Sequence, residues 1–254
     1  MNKLSDPELE YRHLEETSST NDFLRDYTMQ PGTQIAVAVA DFQTRGRGQV
    51  GNTWVSNRGE NLLFSVLVCP SALRAGNGFV LSQAMALAIK KVLDRYIGDV
   101  LIKWPNDIYC QGCKICGTLI ENTLSGPFVS RSVIGSGINV NQTVFPSGLA
   151  VPPTSLHLQM GREMSVDELL DEILRCFRTY FDEVQRGEYE RIRRLYHESL
   201  YMRGRLCSFI DADGLFEGTI SHVEPSGHLI IKDTTGKERR YAFKVVKLIR
   251  KDNK

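Results

Sequence analysis

An α+β fold ending in a small antiparallel β unit is the architecture this 254-residue sequence predicts. Three observations predict it. Short β-rich apolar runs such as Gln34–Phe42 and Asn61–Cys69 are too continuous for one-faced strands and read as buried ones. Two segments, Phe79–Tyr96 and the stretch after Ser165, repeat apolar residues at spacings of three and four, the helical period. After Arg203-Gly204 the texture changes to brief β-rich runs separated by Asp-Gly, Ser-Gly and Thr-Gly turns, the pattern of a small antiparallel barrel.

The elements follow in chain order. The first 18 residues are polar and carry no predicted element. Ser19–Tyr27 reads as a short helix with Ser19 or Thr20 as N-cap. Residues 43–53 hold three glycines and no period, so they form a loop between the first two strands. Leu81, Met85, Ala88, Ile89, Val92 and Leu93 mark the next helix. Val100–Trp104 is a strand that Pro105 ends. Asp107–Cys110 and Lys114–Glu121 form a hairpin about Gln111-Gly112, and Phe128–Val140 is a further strand. Ser165-Val-Asp-Glu168 is a capping box opening a helix whose Leu169, Leu170, Ile173, Leu174, Phe177, Tyr180, Phe181 and Val184 share one face. A second helix covers roughly Glu188–Met202. The β-rich runs beyond are Leu206–Ile210, Leu215–Val223, Leu229–Lys232 and Arg240–Ile249.

Composition narrows the function classes. Lys and Arg number 31 against 30 Asp and Glu, a net charge of +1, which gives no global field for a nucleic-acid backbone. The longest purely apolar runs, Ile35–Ala40 and the equally long Ala84–Ile89, are far short of a membrane span, and residues 1–10 lack the apolar core of a signal peptide. Six cysteines are too sparse for a disulfide scaffold, so a cytoplasmic protein with reduced thiols is expected.

Gly46-Arg-Gly-Gln-Val-Gly51 matches G-x-G-x-x-G in form, but no helix follows and residues 66–76 contain no acidic residue, so a dinucleotide fold is excluded by context. Glycines beside Arg45 and Arg47, after Gln43 and before Trp54, suit an anion-binding loop that folds over a ligand; the plainer reading is a surface loop. Lys103-Trp-Pro-Asn-Asp107 crowds a strand end with functional residue types, and Lys114 and Gly117 lie across the hairpin from it. Two lysines and a carboxylate meeting there would neutralise a carboxylate and phosphates. Cys110-x-x-Cys113-x-x-Cys116 opens like an iron–sulfur run but lacks the fourth ligand, and small semi-apolar hairpin residues are the better reading. The five histidines are scattered, and no nucleophile elbow or Walker motif occurs. Trp54 and Trp104 serve equally as ligand walls or as packing.

Seven stretches together resemble the biotin–protein ligases. They are Glu16-Thr-Ser-Ser-Thr-Asn21, Gln43-Thr-Arg-Gly-Arg-Gly48 through Trp54-Val-Ser56, Gly59-Glu-Asn-Leu62, Lys103-Trp-Pro-Asn-Asp-Ile-Tyr109, Lys114-Ile-Cys-Gly-Thr-Leu-Ile-Glu121, Gly135-Ser-Gly-Ile-Asn-Val-Asn141 and Thr154-Ser-Leu156. The resemblance implies a catalytic domain like that of class II aminoacyl-tRNA synthetases, a mixed sheet with helices over residues 1–202, then an SH3-like barrel over 203–254. It implies two half-reactions: biotin and ATP give biotinyl-5′-AMP and pyrophosphate, then biotin passes to one lysine of a biotin carboxyl carrier domain of a carboxylase.

By the same resemblance Ser19, Thr20, Asn21 and Gln43 hold the biotin head group, with Gly117 beside it. Arg47 and the backbone of Gly48 and Gln49 cover the acyl-adenylate, and Lys114 lies by the carboxylate and α-phosphate. Lys114 and Arg47 are thus the expected catalytic residues, while Lys103, Asn106, Asp107 and Asn139 are expected at the nucleotide and its phosphates. Mg²⁺ accompanies ATP without a dedicated protein site, Asp107 being its candidate ligand. The family's second loop arginine is replaced by Gln49, which predicts either weaker retention of the adenylate or a greater reliance on backbone donors. Only about 18 residues precede the Ser-Thr-Asn turn, too few for the DNA-binding unit that some members carry, so no DNA partner is expected. No membrane partner is expected, and a homodimer is left open. A lipoate–protein ligase is the nearest alternative, although its Arg-Arg-x-Ser-Gly-Gly-Gly stretch is missing; a non-catalytic biotin-binding protein is the other.

Overall fold

The computed structural model describes residues 8–49, 51–149 and 151–249. The expectations for residues 1–7, for Val50 inside the glycine-rich loop and for residues 250–254 therefore lie outside the described residues.

A seven-stranded mixed sheet forms the larger part. Its strands are β1 (Leu9–Leu14), β2 (Ile35–Ala40), β3 (Leu62–Val68), β4 (Val100–Lys103), β5 (Asp107–Cys110), β6 (Cys113–Ser125) and β7 (Phe128–Ile138), in the order β1-β2-β3-β7-β6-β5-β4. β1 runs parallel to β2 and every other neighbouring pair is antiparallel. β2 and β3 are buried along their whole length, β2 as an unbroken apolar run and β3 as one interrupted only by Ser65.

One face of this sheet carries the main core. There α2 (Phe79–Leu93) packs against α4 (Val166–Gln185) and α5 (Glu190–Glu198), with Phe64, Val66, Ile134 and Ile138 beneath. Ser165 caps α4 by accepting a hydrogen bond from the Glu168 amide at 3.3 Å, as the capping box predicts. On the opposite face α1 (Thr20–Arg25) lies over β2, β3 and β7, burying Leu24 with Ala36, Ala38, Leu67 and Val133. α3 (Leu156–Met160) is a single capped turn that the sequence did not suggest.

A second, antiparallel sheet is built from β8 (Leu206–Asp211), β9 (Gly214–Val223), β10 (Leu229–Asp233), β11 (Glu238–Tyr241) and β12 (Lys247–Ile249), in the order β11-β10-β9-β8-β12. Trp104 ties the two sheets together. Its Nε1 donates to the Gly227 carbonyl at 2.8 Å, and its ring meets Phe243 at 5.5 Å between centroids.

Three local expectations change. β1 forms where no element was predicted, because an edge strand needs only backbone pairing on one side and can keep polar residues such as Glu10 and Arg12. The second helix is shorter than Glu188–Met202, spanning Glu190–Glu198. The run Arg240–Ile249 splits between β11 and β12, the chain turning between them with Lys244 in the left-handed region at φ 66°.

Candidate active site

A cleft of about 800 Å³ opens between the two sheets. It is lined by Ser19, Thr20, Asn21, Gln43, Arg47, Gly48, Gln49, Lys103, Asn106, Asp107, Lys114 and Gly117, twelve of the thirteen expected site residues. The thirteenth, Asn139, is buried and donates its amide to the Thr154 carbonyl at 2.9 Å. It braces the β7 exit rather than lining the cleft.

Backbone pairing explains why distant stretches meet. Beyond β1 and β2 the parallel register continues: Thr44 N donates to Thr17 O and Arg45 N to Ser18 O, both at 2.9 Å. This sets the start of α1 beside Gln43, whose Oε1 accepts from the Thr20 amide at 2.8 Å. Ser65 on β3 donates to Asn21 Oδ1 at 2.6 Å and lies 2.7 Å from Thr20 Oγ1. Ser19, Thr20 and Asn21 are all buried, so this polar group is preorganised away from water.

Two glycines of β7 make room for it. A Cβ on Gly135 would stand 2.0 Å from Asn21 Oδ1, and one on Gly137 would stand 2.5 Å from the Trp54 ring. The Trp54 indole also covers Gly117 on the neighbouring strand, where a Cβ would be a tight 3.1 Å from the ring and 3.2 Å from Lys114 Nζ. Trp54 is therefore a wall of the cleft, and Trp104 both lines the cleft and packs between the sheets.

Cations gather at the hairpin end. Lys114 Nζ pairs with Asp107 Oδ1 at 2.7 Å and sits 5.7 Å from the Trp54 ring centre. Lys103 Nζ lies 5.9 Å from the Tyr109 ring centre. Asn106 is held by Thr118 through its side chain and its carbonyl. The Asp107 carboxylate is thus engaged by a lysine. Among the described residues no group of three or more His, Cys, Asp or Glu is placed to hold a metal. The donor set suits an anion, with any Mg²⁺ entering on the phosphates of a nucleotide.

The glycine-rich loop folds as a small hairpin in which Trp54 N donates to Gly46 O at 3.0 Å and Gly48 N to Asn52 O at 2.8 Å. Arg47 makes a bidentate pair with Glu121, at 3.1 and 2.7 Å, and reaches Asp22 at 2.9 Å. Burial acts to raise the Glu121 pKa. Hydrogen bonds from Arg47 and Asn21 and the charges of Arg47 and Arg25 outweigh it, holding the group below the ordinary glutamate range. Arg47, expected to cover an acyl-adenylate, is thus charge-compensated by Glu121 and Asp22.

The sequence did not single out Ser65, Glu121, Lys244 or Lys247. The last two come from the C-terminal sheet and line the cleft, with Lys244 Nζ donating to the Gln49 carbonyl at 3.1 Å. Glu121 was detectable in principle, because Gly117, Leu119 and Glu121 alternate on one face of β6.

The three close cysteines show a packing role. Cys110 and Cys113 are partners across the hairpin, and Cys116 points into the core. Burial pushes the Cys110 thiol up to about 11 and the Cys116 thiol to about 12, so neither is a thiolate near neutrality.

The profile of the Biotin/lipoate A/B protein ligase family matches residues 14–139. A biotin–acetyl-CoA-carboxylase ligase of Paracoccus denitrificans is 30% identical over 241 residues, covering 89% of this chain and 95% of that protein. The chain belongs to the biotin–protein ligase family. The bifunctional ligase/repressor BirA of Bacillus subtilis (strain 168) is 28% identical over 232 residues, 90% of this biotin–protein ligase family member and 70% of BirA. Among solved structures, the biotin protein ligase of Aquifex aeolicus in complex with biotin and ATP aligns with a TM-score of 0.76 at 25% identity, covering 95% of this chain and 99% of that one. The Leishmania major enzyme in complex with biotinyl-5-AMP aligns with a TM-score of 0.58 at 25% identity, over 92% and 98%. No described helix is long and apolar enough to cross a membrane.

Proposed function

We propose that this protein activates biotin with ATP to biotinyl-5′-AMP and transfers the biotinyl group to a lysine of a biotin carboxyl carrier domain. The observation that carries the reading is the shape of the cleft. A buried hydroxyl–amide group at one end, built from Thr20, Asn21 and Ser65 beside the half-buried Gln43, is joined past Trp54 to lysines at the other. A ureido ring needs several fixed hydrogen-bond partners to leave water, and a carboxylate approaching a phosphate needs positive charge placed beforehand.

In the first step the biotin carboxylate oxygen attacks the α-phosphorus of ATP, and pyrophosphate leaves. On this reading Lys114 holds the carboxylate and the α-phosphate, and its 2.7 Å pair with Asp107, which fixes the ammonium group, supports that role. Lys103 and the C-terminal Lys244 and Lys247 supply further positive charge along the cleft. Mg²⁺ carried on the ATP phosphates would shield their charge, with Asp107 the candidate protein ligand. In the second step the carrier lysine amine attacks the acyl carbonyl and AMP leaves. Until then the mixed anhydride must be kept from water; on this reading the loop Gly46–Gln49 does so, a role supported by the bond that Lys244 makes to the Gln49 carbonyl. Residues 1–202 form the catalytic domain on this reading, and residues 203–254 form a small SH3-like barrel that closes the nucleotide end.

Incubation with ATP, Mg²⁺, biotin and a purified carrier domain, followed by mass spectrometry, tests the reading. One biotinylated lysine on the carrier is expected. A carrier that stays unmodified, or that is modified equally well with lipoate, would overturn it.

A further inference from the structure

Glu121 stands where three elements meet. Its Oε2 accepts from Asn21 Nδ2 at 2.8 Å and from Arg47 Nη2 at 2.7 Å, and its Oε1 accepts from Arg47 Nη1 at 3.1 Å and Arg25 Nη2 at 3.4 Å. Asp22 closes the group, 2.9 Å from Arg47 and 2.6 Å from Arg25. Two carboxylates and two guanidinium groups thus balance, and the shared member that also reaches the head-group side chains is Glu121.

That geometry fixes two things at once. The Asn21 amide has its nitrogen on Glu121 and its oxygen on the Ser65 hydroxyl, so a flipped amide would set oxygen against a carboxylate. The Arg47 guanidinium is fixed as a planar fork by the same carboxylate, and Arg47 carries the start of the glycine-rich loop. Its Nε is buried with no hydrogen-bond partner among the described residues, one donor left over for a ligand. A surface ion pair holding the loop would not need the third bond to Asn21.

We propose that Glu121 is a positioning residue for the adenylating step, holding the biotin-binding Asn21 and the loop residue Arg47 in one arrangement so that acid binding and loop placement occur together. The proposal rests on the biotin-ligase reading above. Glu121 itself does not line the cleft; it acts through its two partners, joined to it across 100 and 74 residues of sequence. Because those hydrogen bonds and charges keep it ionised, it can accept from all of them and donates to none.

Glu121→Gln separates the two tasks. The amide keeps one oxygen for Asn21 Nδ2 but cannot accept both arms of the Arg47 fork, and its own NH₂ opposes a guanidinium N–H. Glu121→Ala removes both tasks. Three quantities are measured on each full-length variant: melting temperature, biotin Kd by calorimetry without ATP, and kcat for biotin-dependent ATP–pyrophosphate exchange. For Glu121→Gln we expect a biotin Kd within about threefold of the parent and a kcat at least about tenfold lower. For Glu121→Ala we expect biotin Kd and kcat each to worsen by about tenfold or more. Unchanged exchange in Glu121→Gln would overturn the proposal, and so would a parallel loss of melting temperature, biotin affinity and kcat in that variant. A parent protein with no biotin-dependent exchange would fail the underlying reading before any variant is compared, and the proposal with it.

Discussion

Replacing Gly135 by alanine puts the head-group geometry under a direct load. The new Cβ would stand 2.0 Å from Asn21 Oδ1, 2.9 Å from its Cγ and 3.1 Å from Ser65 Oγ. A carbon and an oxygen in contact sit roughly 3.3 Å apart, so the overlap exceeds what small adjustments absorb. The sheet need not move, because the obstructing atom is the end of a side chain that can rotate away. Rotation would break the Ser65–Asn21 bond of 2.6 Å and the Asn21–Glu121 bond of 2.8 Å. One neutral and one charge-assisted hydrogen bond together are worth about 2–4 kcal/mol when a ligand depends on the group they orient. That corresponds to a loss of biotin affinity of roughly 30- to 1,000-fold. Calorimetric titration of Gly135→Ala with biotin measures this, and circular dichroism confirms that the sheet persists. A variant that folds normally and binds biotin within threefold of the parent would show that Asn21 does not hold the head group.

Other consequences follow from the same geometry. Lys114→Ala should lower kcat for adenylation by about 10²- to 10³-fold while biotin Kd changes only a few-fold, since the ammonium group acts on the developing phosphate charge; a weakened biotin Kd with an unchanged kcat would place Lys114 in binding alone. Gln49→Arg should slow the release of free biotinyl-AMP by adding a cation to the loop, as measured by chromatography of filtered product; an unchanged release rate would refute that role. Trp104→Phe leaves the Gly227 carbonyl without its 2.8 Å donor and should cost about 1–3 kcal/mol of stability in denaturant titration. Glu121 has a lowered folded pKa, so its contribution is complete above the ordinary glutamate pKa and disappears as pH falls through the lowered value. The facing groups are Arg47, Arg25, Asp22 and Asn21. Stability measured against pH should therefore fall more steeply on the acid side in the parent than in Glu121→Gln.

The fold was legible where burial imposes a period. β2, β3, α2 and α4 lie against the core on their whole length or along one stripe, and their sequences repeat accordingly. The hairpin β5–β6 was legible from Gln111-Gly112, both of which take positive φ, at 49° and 76°. β1 was not, because a parallel edge strand is held by its neighbour's backbone and leaves little trace in its own residues. The site was legible as a set of residue types. Twelve of the thirteen expected residues line one cleft because their motifs end adjacent strands or start α1. What the motifs did not convey is pairing. Nothing local to Arg47 or Asn21 announces that both depend on Glu121, and nothing in Lys244 announces its bond to Gln49. Those are long-range consequences of sheet order and of how the C-terminal sheet packs against Trp104.

ATP–pyrophosphate exchange with purified protein and Mg²⁺, run with biotin, with lipoate and with neither acid, tests the central claim most directly. The buried hydroxyl–amide group and the lysines beyond Trp54 predict exchange that requires biotin and is absent in the other two reactions. Exchange with lipoate as fast as with biotin, or no exchange from a protein that still binds biotin, would contradict it.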